Sequence, residues 1–197
     1  MKNMNLSARV REHVRVLEAF FETQGDALVQ LSGRVAQAMS DGHKLLLCGN
    51  GGSAADSQHI AAEFTNRFRL ERPPLPALAL TTDTSALTAV ANDYGYDQVF
   101  VKQVKALGQS GDVLVGISTS GNSPSVVKAI EAARERGLYS VALTGGSGGA
   151  AGATADLHLC VNATTDTALI QEVHITALHV MCQLVDEHLF PSLRNSE

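Results

Sequence analysis

The segment DVLVGISTSGNSP, residues 112–124, combines an apolar run, a turn rich in hydroxyl groups and a proline. Residues 112–117 are almost continuously apolar, which is typical of a strand buried on both faces of a parallel sheet. Pro124 suits the first position of a helix because its φ is fixed, and Ser123 is placed to be the N-cap. The segment therefore predicts a strand, a turn and a helix that runs to about residue 136.

The same order of strand, turn and helix occurs earlier in the chain. Residues 44–48 (KLLLC) form a short apolar run, residues 49–53 (GNGGS) form a glycine-rich turn, and a helical stretch follows at 54–67. A Gly/Ala-rich connection occupies residues 145–155. The other predicted strands are 77–80, 140–143 and 157–161, and the other predicted helices are 84–91, 97–107 and 166–189. Strands that alternate with helices predict an α/β fold, with a parallel sheet covered on both faces and right-handed crossovers.

Two helical segments are predicted before the first strand. Apolar residues recur at helical spacing, first within residues 6–23 and then up to Asp41 and Gly42. The two stripes consist of Val10, Val14, Leu17 and Phe21, and of Leu28, Leu31, Val35 and Met39. This spacing predicts an antiparallel helical pair in residues 1–42, which belongs to the same domain as residues 43–197.

The composition excludes several classes of protein. The 197 residues are 45% hydrophobic, enough for one domain with a filled core. The net charge of −5 offers no surface for a polyanion, so we expect no direct contact with nucleic acid. Arg9, Glu12 and Arg15 interrupt the first apolar residues, so we expect no signal peptide, no membrane span and a cytoplasmic protein. Three cysteines far apart in the sequence fit a reducing compartment.

The two turns at 49–53 and 118–123 carry the chemical signal. Each follows a strand and precedes a helix, where unpaired N–H groups of the helix N-terminus bind anions. Four hydroxyl side chains lie within residues 118–123, although either turn alone is equally well explained by ordinary capping and turn residues. Neither turn has the lysine of a nucleotide-binding loop or the dinucleotide fingerprint. The pattern therefore favours a sugar phosphate over ATP or NAD as the ligand.

Four separated motifs carry a resemblance to a known family. They are CGNGGSAADSQHIAAEF at 48–64, AND at 91–93, STSGNS at 118–123 and IQEVHITALH at 170–179. Together they resemble the sugar isomerase (SIS) domain and, within it, the bacterial phosphoheptose isomerases, over nearly the whole chain. The resemblance implies a doubly wound sheet of five parallel strands with a long C-terminal helix, and a homotetramer with active sites at subunit interfaces.

The activity that the resemblance implies is an aldose–ketose isomerisation. Sedoheptulose 7-phosphate would become D-glycero-D-manno-heptose 7-phosphate, the first step towards ADP-heptose and the heptose of the lipopolysaccharide core. Catalysis falls on Glu63 and His179, and a zinc site, where members bind zinc, falls on His59, Glu63, Gln171 and His179. Substrate contacts fall on Asn50, Gly51, Gly52, Glu63, Asn92, Asp93, Ser118, Thr119, Ser120, Ser123 and Gln171.

The residue types also suit this chemistry without the family. Exchange of a ketose and an aldose through a cis-enediol needs a base for the carbon-bound proton and a group that moves protons between the oxygens. His59 and Glu63 are four residues apart and share a helix face, although Glu63 alone is also explained as a solvated residue and His59 as a core histidine. Gln171 and His179 are eight apart, about 12 Å along a helix. They reach one metal only if the helix starts irregularly or if subunits share the site.

A non-enzymatic relative is the competing interpretation. Residues 66–77, 102–108 and 182–191 resemble the DnaA initiator-associating protein, which has the same domain but binds a replication initiator. That protein resembles a dead enzyme without the equivalents of Glu63 and His179, and an arginine interrupts its serine turn. Because both residues and an intact STSGNS are present here, the isomerase is favoured, with a DnaA-type initiator as partner only under the alternative. A third class, sugar-phosphate-sensing regulators, usually carries an added DNA-binding segment.

Overall fold

A sheet of five parallel strands forms the centre of the computed structural model, which describes residues 6–195, with residues 194 and 195 in backbone only. The strand order is β2-β1-β3-β4-β5. The strands are β1 (Leu45–Gly49), β2 (Ala77–Ala79), β3 (Val113–Ser118), β4 (Tyr139–Gly145) and β5 (Leu157–Val161). Each predicted strand is confirmed to within two residues at either end. β1 and β3 are buried along their whole length, as expected for apolar runs covered on both faces.

Helices cover both faces of the sheet. They are α1 (Leu6–Ser40), α2 (Gly52–Thr65), α3 (Thr84–Tyr94), α4 (Val99–Leu107), α5 (Pro124–Glu135), α6 (Gly149–Thr154) and α7 (Thr167–Leu189), with short 3₁₀ turns at Tyr96–Gln98 and Pro191–Asn195. One apolar core packs α1, α2 and α7 against one face, and a second packs α4, α5 and α6 against the other. Alternate residues of β1 enter the two cores: Leu45 and Leu47 the first, Leu46 and Cys48 the second. The predicted doubly wound fold is confirmed.

The expected N-terminal helical pair is wrong, because α1 is one continuous helix of 35 residues. The apolar stripe keeps its helical phase, since Phe21 and Leu28 are seven residues, about two turns, apart. Gly25 lies between them in open space, and a single glycine costs a helix only about 1 kcal/mol. The division into residues 1–42 and 43–197 stays a prediction, and its residues 1–5, 196 and 197 lie outside the described part.

The connection at residues 145–155 contains a helix that the sequence pattern did not indicate. α6 has the sequence GAAGAT, and glycine is a poor helix former, so local propensity gives no signal here. Its Ala151 is fully buried in the core that also contains α5. Tertiary packing therefore forms this helix.

α7 is long and apolar enough to cross a membrane by length and composition alone. Half of its most apolar part is buried inside the protein. Its buried residues, among them Val173, Ala177 and Met181, belong to the core beneath the sheet. The core helix of a soluble protein has the same length and composition as a membrane span, so this feature is weak support for one.

His174 is a polar residue in the middle of that core. It is fully buried on α7, and its Nε2 donates a hydrogen bond to the carbonyl oxygen of Thr144 on β4, 2.9 Å away. Burial lowers the pKa of His174 to about 4, since the charged imidazole would lose its hydration. The folded protein therefore holds a neutral imidazole that the unfolded chain protonates near pH 6.5.

We expect this histidine to make stability depend on pH. As pH falls from about 6.5 to 4, the unfolded state binds a proton that the folded state excludes, and His174 alone lowers the free energy of unfolding by up to about 3 kcal/mol. His174→Gln retains an amide donor for Thr144 but cannot be protonated, so its urea-unfolding free energy should fall less over this range. The exposed His188→Gln on the same helix is the control. The prediction would be contradicted if the unfolding free energy fell as steeply with decreasing pH in His174→Gln as in the parent.

Candidate active site

The two predicted ligand turns lie side by side at the carboxyl edge of the sheet. β1 and β3 are hydrogen-bonded neighbours, and their register pairs Gly49 with Ile117. The glycine-rich turn leads from β1 into α2 and the serine turn leads from β3 into α5, so both helix N-termini point to the same edge. In open parallel sheets ligands bind at this edge, where adjacent strands lead in opposite directions.

The serine turn gathers its hydroxyl groups around Ser118, which is buried at the end of β3. Ser118 Oγ donates to Ser123 Oγ at 3.1 Å and lies 3.5 Å from Ser120 Oγ. Ser123 occupies the predicted N-cap of α5, yet its side chain makes no capping hydrogen bond. The hydroxyl groups therefore converge on one another at a helix N-terminus, an arrangement that suits an anion.

A cavity of about 270 Å³ adjoins this turn. Thr119 and Ser120 line it, the loops after β4 and β5 contribute Ser147 and Thr165, and the start of α7 contributes Thr167. The hydroxyl groups of all five match a phosphate or a polyhydroxy chain. The sequence pattern did not single out the last three residues, although Ser147 stands in a Gly/Ser turn after a strand, as the predicted turns do.

The glycine-rich turn depends on two glycines. Gly51 is the N-cap of α2 with φ of 56°, a left-handed conformation that favours glycine. At Gly52 an added Cβ would lie 2.5 Å from Gln171 Nε2, so the side chain of Gln171 lies directly over this position. Asn50 links the glycine-rich turn to the start of α5, because it donates to Ser125 Oγ at 3.0 Å, and to the 3₁₀ turn after α3, because it accepts from the Tyr96 hydroxyl at 2.8 Å.

Asn92 and Asp93 lie in the last turn of α3, where Asn92 Nδ2 donates to Asp93 Oδ1 at 2.8 Å. Both side chains are exposed, and none of the residues of α3 is buried. Their role as substrate contacts stays a prediction.

The proposed catalytic residues meet farther along α2. His59 Nε2 lies 2.8 Å from His179 Nε2 on α7, and 3.6 Å from Glu63 Oε1. A hydrogen bond across this contact requires one ring nitrogen to donate and the other to accept. Phe68 stacks on His179, with ring centroids 5.3 Å apart. Burial lowers the pKa of His179, the charge of His59 lowers it further, and Glu63 opposes both effects, so a neutral imidazole is favoured near neutral pH.

The predicted metal ligands divide into two places within one subunit. α2 and α7 pack against each other, with Gly52 and Gln171 in contact at one end and His59 and His179 at the other. Gln171 is therefore about 12 Å along α7 from His179. In residues 6–195 no group of three or more His, Cys, Asp or Glu side chains is arranged to hold a metal ion. The two imidazoles and the carboxylate that do meet are nevertheless the donor types that zinc prefers.

The fold and this site define a class of protein, the α/β proteins that bind a phosphorylated sugar at the carboxyl edge of a doubly wound sheet. A family model described as the SIS domain matches residues 10–145. A phosphoheptose isomerase of Nitratidesulfovibrio vulgaris (strain Hildenborough) is 57% identical over 182 residues, 92% of this chain and 87% of that protein. One from Roseiflexus sp. (strain RS-1) is 55% identical over 181 residues, 92% of this chain and 91% of that protein.

Solved structures agree with the sequence relatives. The phosphoheptose isomerase of Neisseria gonorrhoeae has a TM-score of 0.88 and 47% identity, over 95% of this chain and 100% of that one. That of Francisella tularensis has a TM-score of 0.90 and 37% identity over the same shares. The chain therefore belongs to the SIS-domain family and, within it, to the phosphoheptose isomerases. It is a sugar-phosphate isomerase.

The hydroxyl cluster predicts a loss of phosphate affinity in Ser118→Ala/Ser120→Ala. Hydrogen bonds to a charged group disappear, so binding of sedoheptulose 7-phosphate should weaken by about 1–3 kcal/mol, measured by calorimetry. Ser110→Ala, at the opposite edge of the sheet, is the control and should retain parental affinity. Unchanged affinity in the double variant would show that the phosphate is held elsewhere.

Proposed function

We propose that the chain converts sedoheptulose 7-phosphate to D-glycero-D-manno-heptose 7-phosphate. The observation that carries this proposal is the distance along α2 between the two ligand turns and the proposed catalytic residues. Anion-binding turns lie at its N-terminus, and His59, Glu63 and His179 meet near its other end, with Glu63 roughly 13 Å beyond the first turn. A heptose 7-phosphate carries its phosphate and its reacting carbons, C1 and C2, at opposite ends, so an open-chain substrate suits this separation.

The roles of the two catalytic residues follow from their chemistry. Glu63 removes a proton from C1 of the ketose and returns it to C2, through a cis-enediol. His179 moves the proton between the two oxygens, and its lowered pKa supports this role because a neutral imidazole both accepts and donates near pH 7. Phe68 covers one face of the His179 ring and limits its rotation.

We propose a zinc ion at the same place, held by His59, Glu63 and His179. Bound there, it would polarise the carbonyl oxygen of the substrate. Gln171 is a fourth predicted ligand, but its position over Gly52 requires that it serve from a neighbouring subunit or after a rearrangement of α7. Within one subunit, Gln171 is better placed to contact the substrate beside the glycine-rich turn.

We also propose a homotetramer with active sites between subunits. An apolar stripe on α1 supports this, since Leu6, Val10 and Val14 are 70%, 55% and 46% exposed. α3 lies on the surface of one subunit and carries Asn92 and Asp93, so a neighbouring subunit at α3 would bring them to a shared site. Exposed apolar patches of this kind mark association surfaces.

The cellular setting of the proposal is the cytoplasm, and the product would supply ADP-heptose for the lipopolysaccharide core. Cys48, Cys160 and Cys182 are free thiols, as expected in a reducing compartment. The initiator-binding alternative is not favoured, because the similar proteins are phosphoheptose isomerases and the chain retains Glu63 and His179.

Glu63→Gln tests the enzymatic role directly. The amide keeps the shape and hydrogen bonding of the side chain but cannot accept the carbon-bound proton, so turnover should fall about 10²–10⁴-fold. The assay follows conversion of sedoheptulose 7-phosphate, with and without added zinc. Glu131→Gln, an exposed glutamate on α5, should retain parental turnover. Parental turnover in Glu63→Gln would refute the mechanism, and an inactive, tetrameric, zinc-supplied parent would favour the initiator-binding alternative.

The zinc proposal predicts up to one zinc ion per subunit after exposure and desalting, measured by elemental analysis. His59→Gln should bind at least tenfold less tightly, because one of three ligands is lost. Chelation should lower activity and leave the helical circular dichroism unchanged. His43→Gln, at the opposite edge of the sheet, controls for adventitious binding. If the parent retains no zinc, the zinc proposal is wrong, and the proposed role of Glu63 as the base is unaffected.

A further inference from the structure

Arg72 is a buried cation next to the proposed catalytic residues, in the segment between α2 and β2. Its side chain is fully buried, so it has no access to a sugar phosphate. The guanidinium donates to the carbonyl oxygens of Glu63 (2.9 Å) and Phe64 (2.8 Å). It also donates to the carbonyl oxygens of Asn66 at 3.3 Å and Pro73 at 3.2 Å.

Three of these acceptors, the carbonyl groups of Glu63, Phe64 and Asn66, lie where α2 ends. The last carbonyl groups of a helix have no partner within the helix, and the final turn frays unless another group satisfies them. Arg72 satisfies the carbonyl of Glu63 itself and shares the carbonyl of Phe64 with the backbone N–H of Leu75, which donates to it at 2.9 Å. The planar guanidinium makes these contacts in a fixed geometry that a lysine would not reproduce. The backbone that carries Glu63 is therefore held in place by Arg72.

The same guanidinium reaches α7. Arg72 Nε donates to Asp186 Oδ1 at 2.8 Å, and Asp186 is buried. Asp186 lies seven residues, about two turns, after His179, so both side chains lie on one face of α7. Arg72 thus bridges the helix that carries Glu63 and the helix that carries His179.

Cys182 lies close to the charged groups of Arg72, Asp186 and Glu63. It lies on α7 between His179 and Asp186 and is buried. Burial raises the pKa of its thiol most, the charges of Asp186 and Glu63 raise it further, and Arg72 opposes them. The Arg72–Asp186 ion pair and Glu63, the proposed general base, therefore both act electrostatically on the buried thiol of Cys182.

We infer that Arg72 and Asp186 are positioning residues for the isomerisation, which fix Glu63 relative to His179. The inference rests on the proposed function. A buried ion pair is not needed for stability alone, because well-packed apolar residues at the same buried positions often stabilise a protein equally well. Misplacement of a reacting group by about 1 Å costs on the order of 10²-fold in rate, so a tie between two helices has a direct catalytic effect.

Steady-state kinetics of Arg72→Met, Arg72→Lys and Asp186→Asn test this inference, well below the lowest unfolding temperature of the set. kcat of Arg72→Met should fall roughly 10- to 100-fold with KM for sedoheptulose 7-phosphate within about twofold, since both ligand turns are distant from Arg72. Arg72→Lys should lose less, because it keeps the charge opposite Asp186. If Arg72→Met does not fold, Asp186→Asn decides, since it leaves the helix-end hydrogen bonds in place and loosens only the tie to α7.

Asp112→Asn is the matched control. Asp112 is also fully buried, pairs with Lys44 Nζ at 2.7 Å and accepts from the backbone N–H of Lys44 and Gln109, but it lies at the opposite edge of the sheet. It should lower the unfolding temperature without changing kcat. Amide hydrogen exchange gives a second readout: Arg72→Lys should speed exchange at residues 63–66 at least tenfold and leave residues 55–58 unchanged.

The outcomes separate the two proposals. A parent that does not isomerise sedoheptulose 7-phosphate would overturn the proposed function together with this inference. An active parent whose Arg72 and Asp186 variants keep parental kcat, or lose no more than Asp112→Asn, would overturn the positioning role alone. A kcat loss with constant KM, together with faster exchange confined to the end of α2, would support it.

Discussion

The packing of α2 against α7 is the contact on which the candidate active site depends. Gly52 lacks a Cβ, and this lets Gln171 approach the start of α2, while Ile60 and Phe64 bury the helix in the core shared with α7. This packing fixes which residues face each other along both helices. Because His59 is about two turns beyond Gly52, and His179 about two turns beyond Gln171, the two imidazoles meet. A larger residue at position 52 would displace the side-chain amide of Gln171 from its place over the glycine-rich turn.

The sheet supplies the other half of the site by aligning its strand ends. Asp112 accepts hydrogen bonds from the backbone N–H of Lys44, directly before β1, and from that of Gln109, in the turn before β3. The parallel pairing of β1 with β3 places Gly49 beside Ile117 at the carboxyl ends. The anion-binding turns are therefore adjacent because both strands start together and have similar lengths. The two edges of the sheet differ: the ligand turns lie at the carboxyl edge, and the buried carboxylate of Asp112 lies at the amino edge, where its contacts are structural.

The candidate site consequently has two parts: the serine turn, where the ligand is proposed to bind, and Glu63, whose position depends on the last turn of α2. The serine turn follows a fully buried strand and is held by hydrogen bonds between its own hydroxyl groups. Glu63 instead lies in the last turn of a helix, where the backbone has fewer internal hydrogen bonds. A reaction that moves protons needs its base in one place, so the proposed positioning role of the segment after α2 requires no contact with either ligand turn.

The five strands and most of the helices could be predicted from the sequence, because periodicity and capping are local. Continuous apolar runs predicted the strands, the serine turn indicated a place for an anion, and the spacing of His59 and Glu63 predicted a shared helix face. How these parts meet follows from tertiary packing. It joined the N-terminal segments into α1, formed α6, brought His179 beside His59, and gave Arg72 its partners. Each of these depends on the register between elements distant in the chain, which is set by side-chain packing and leaves no local pattern.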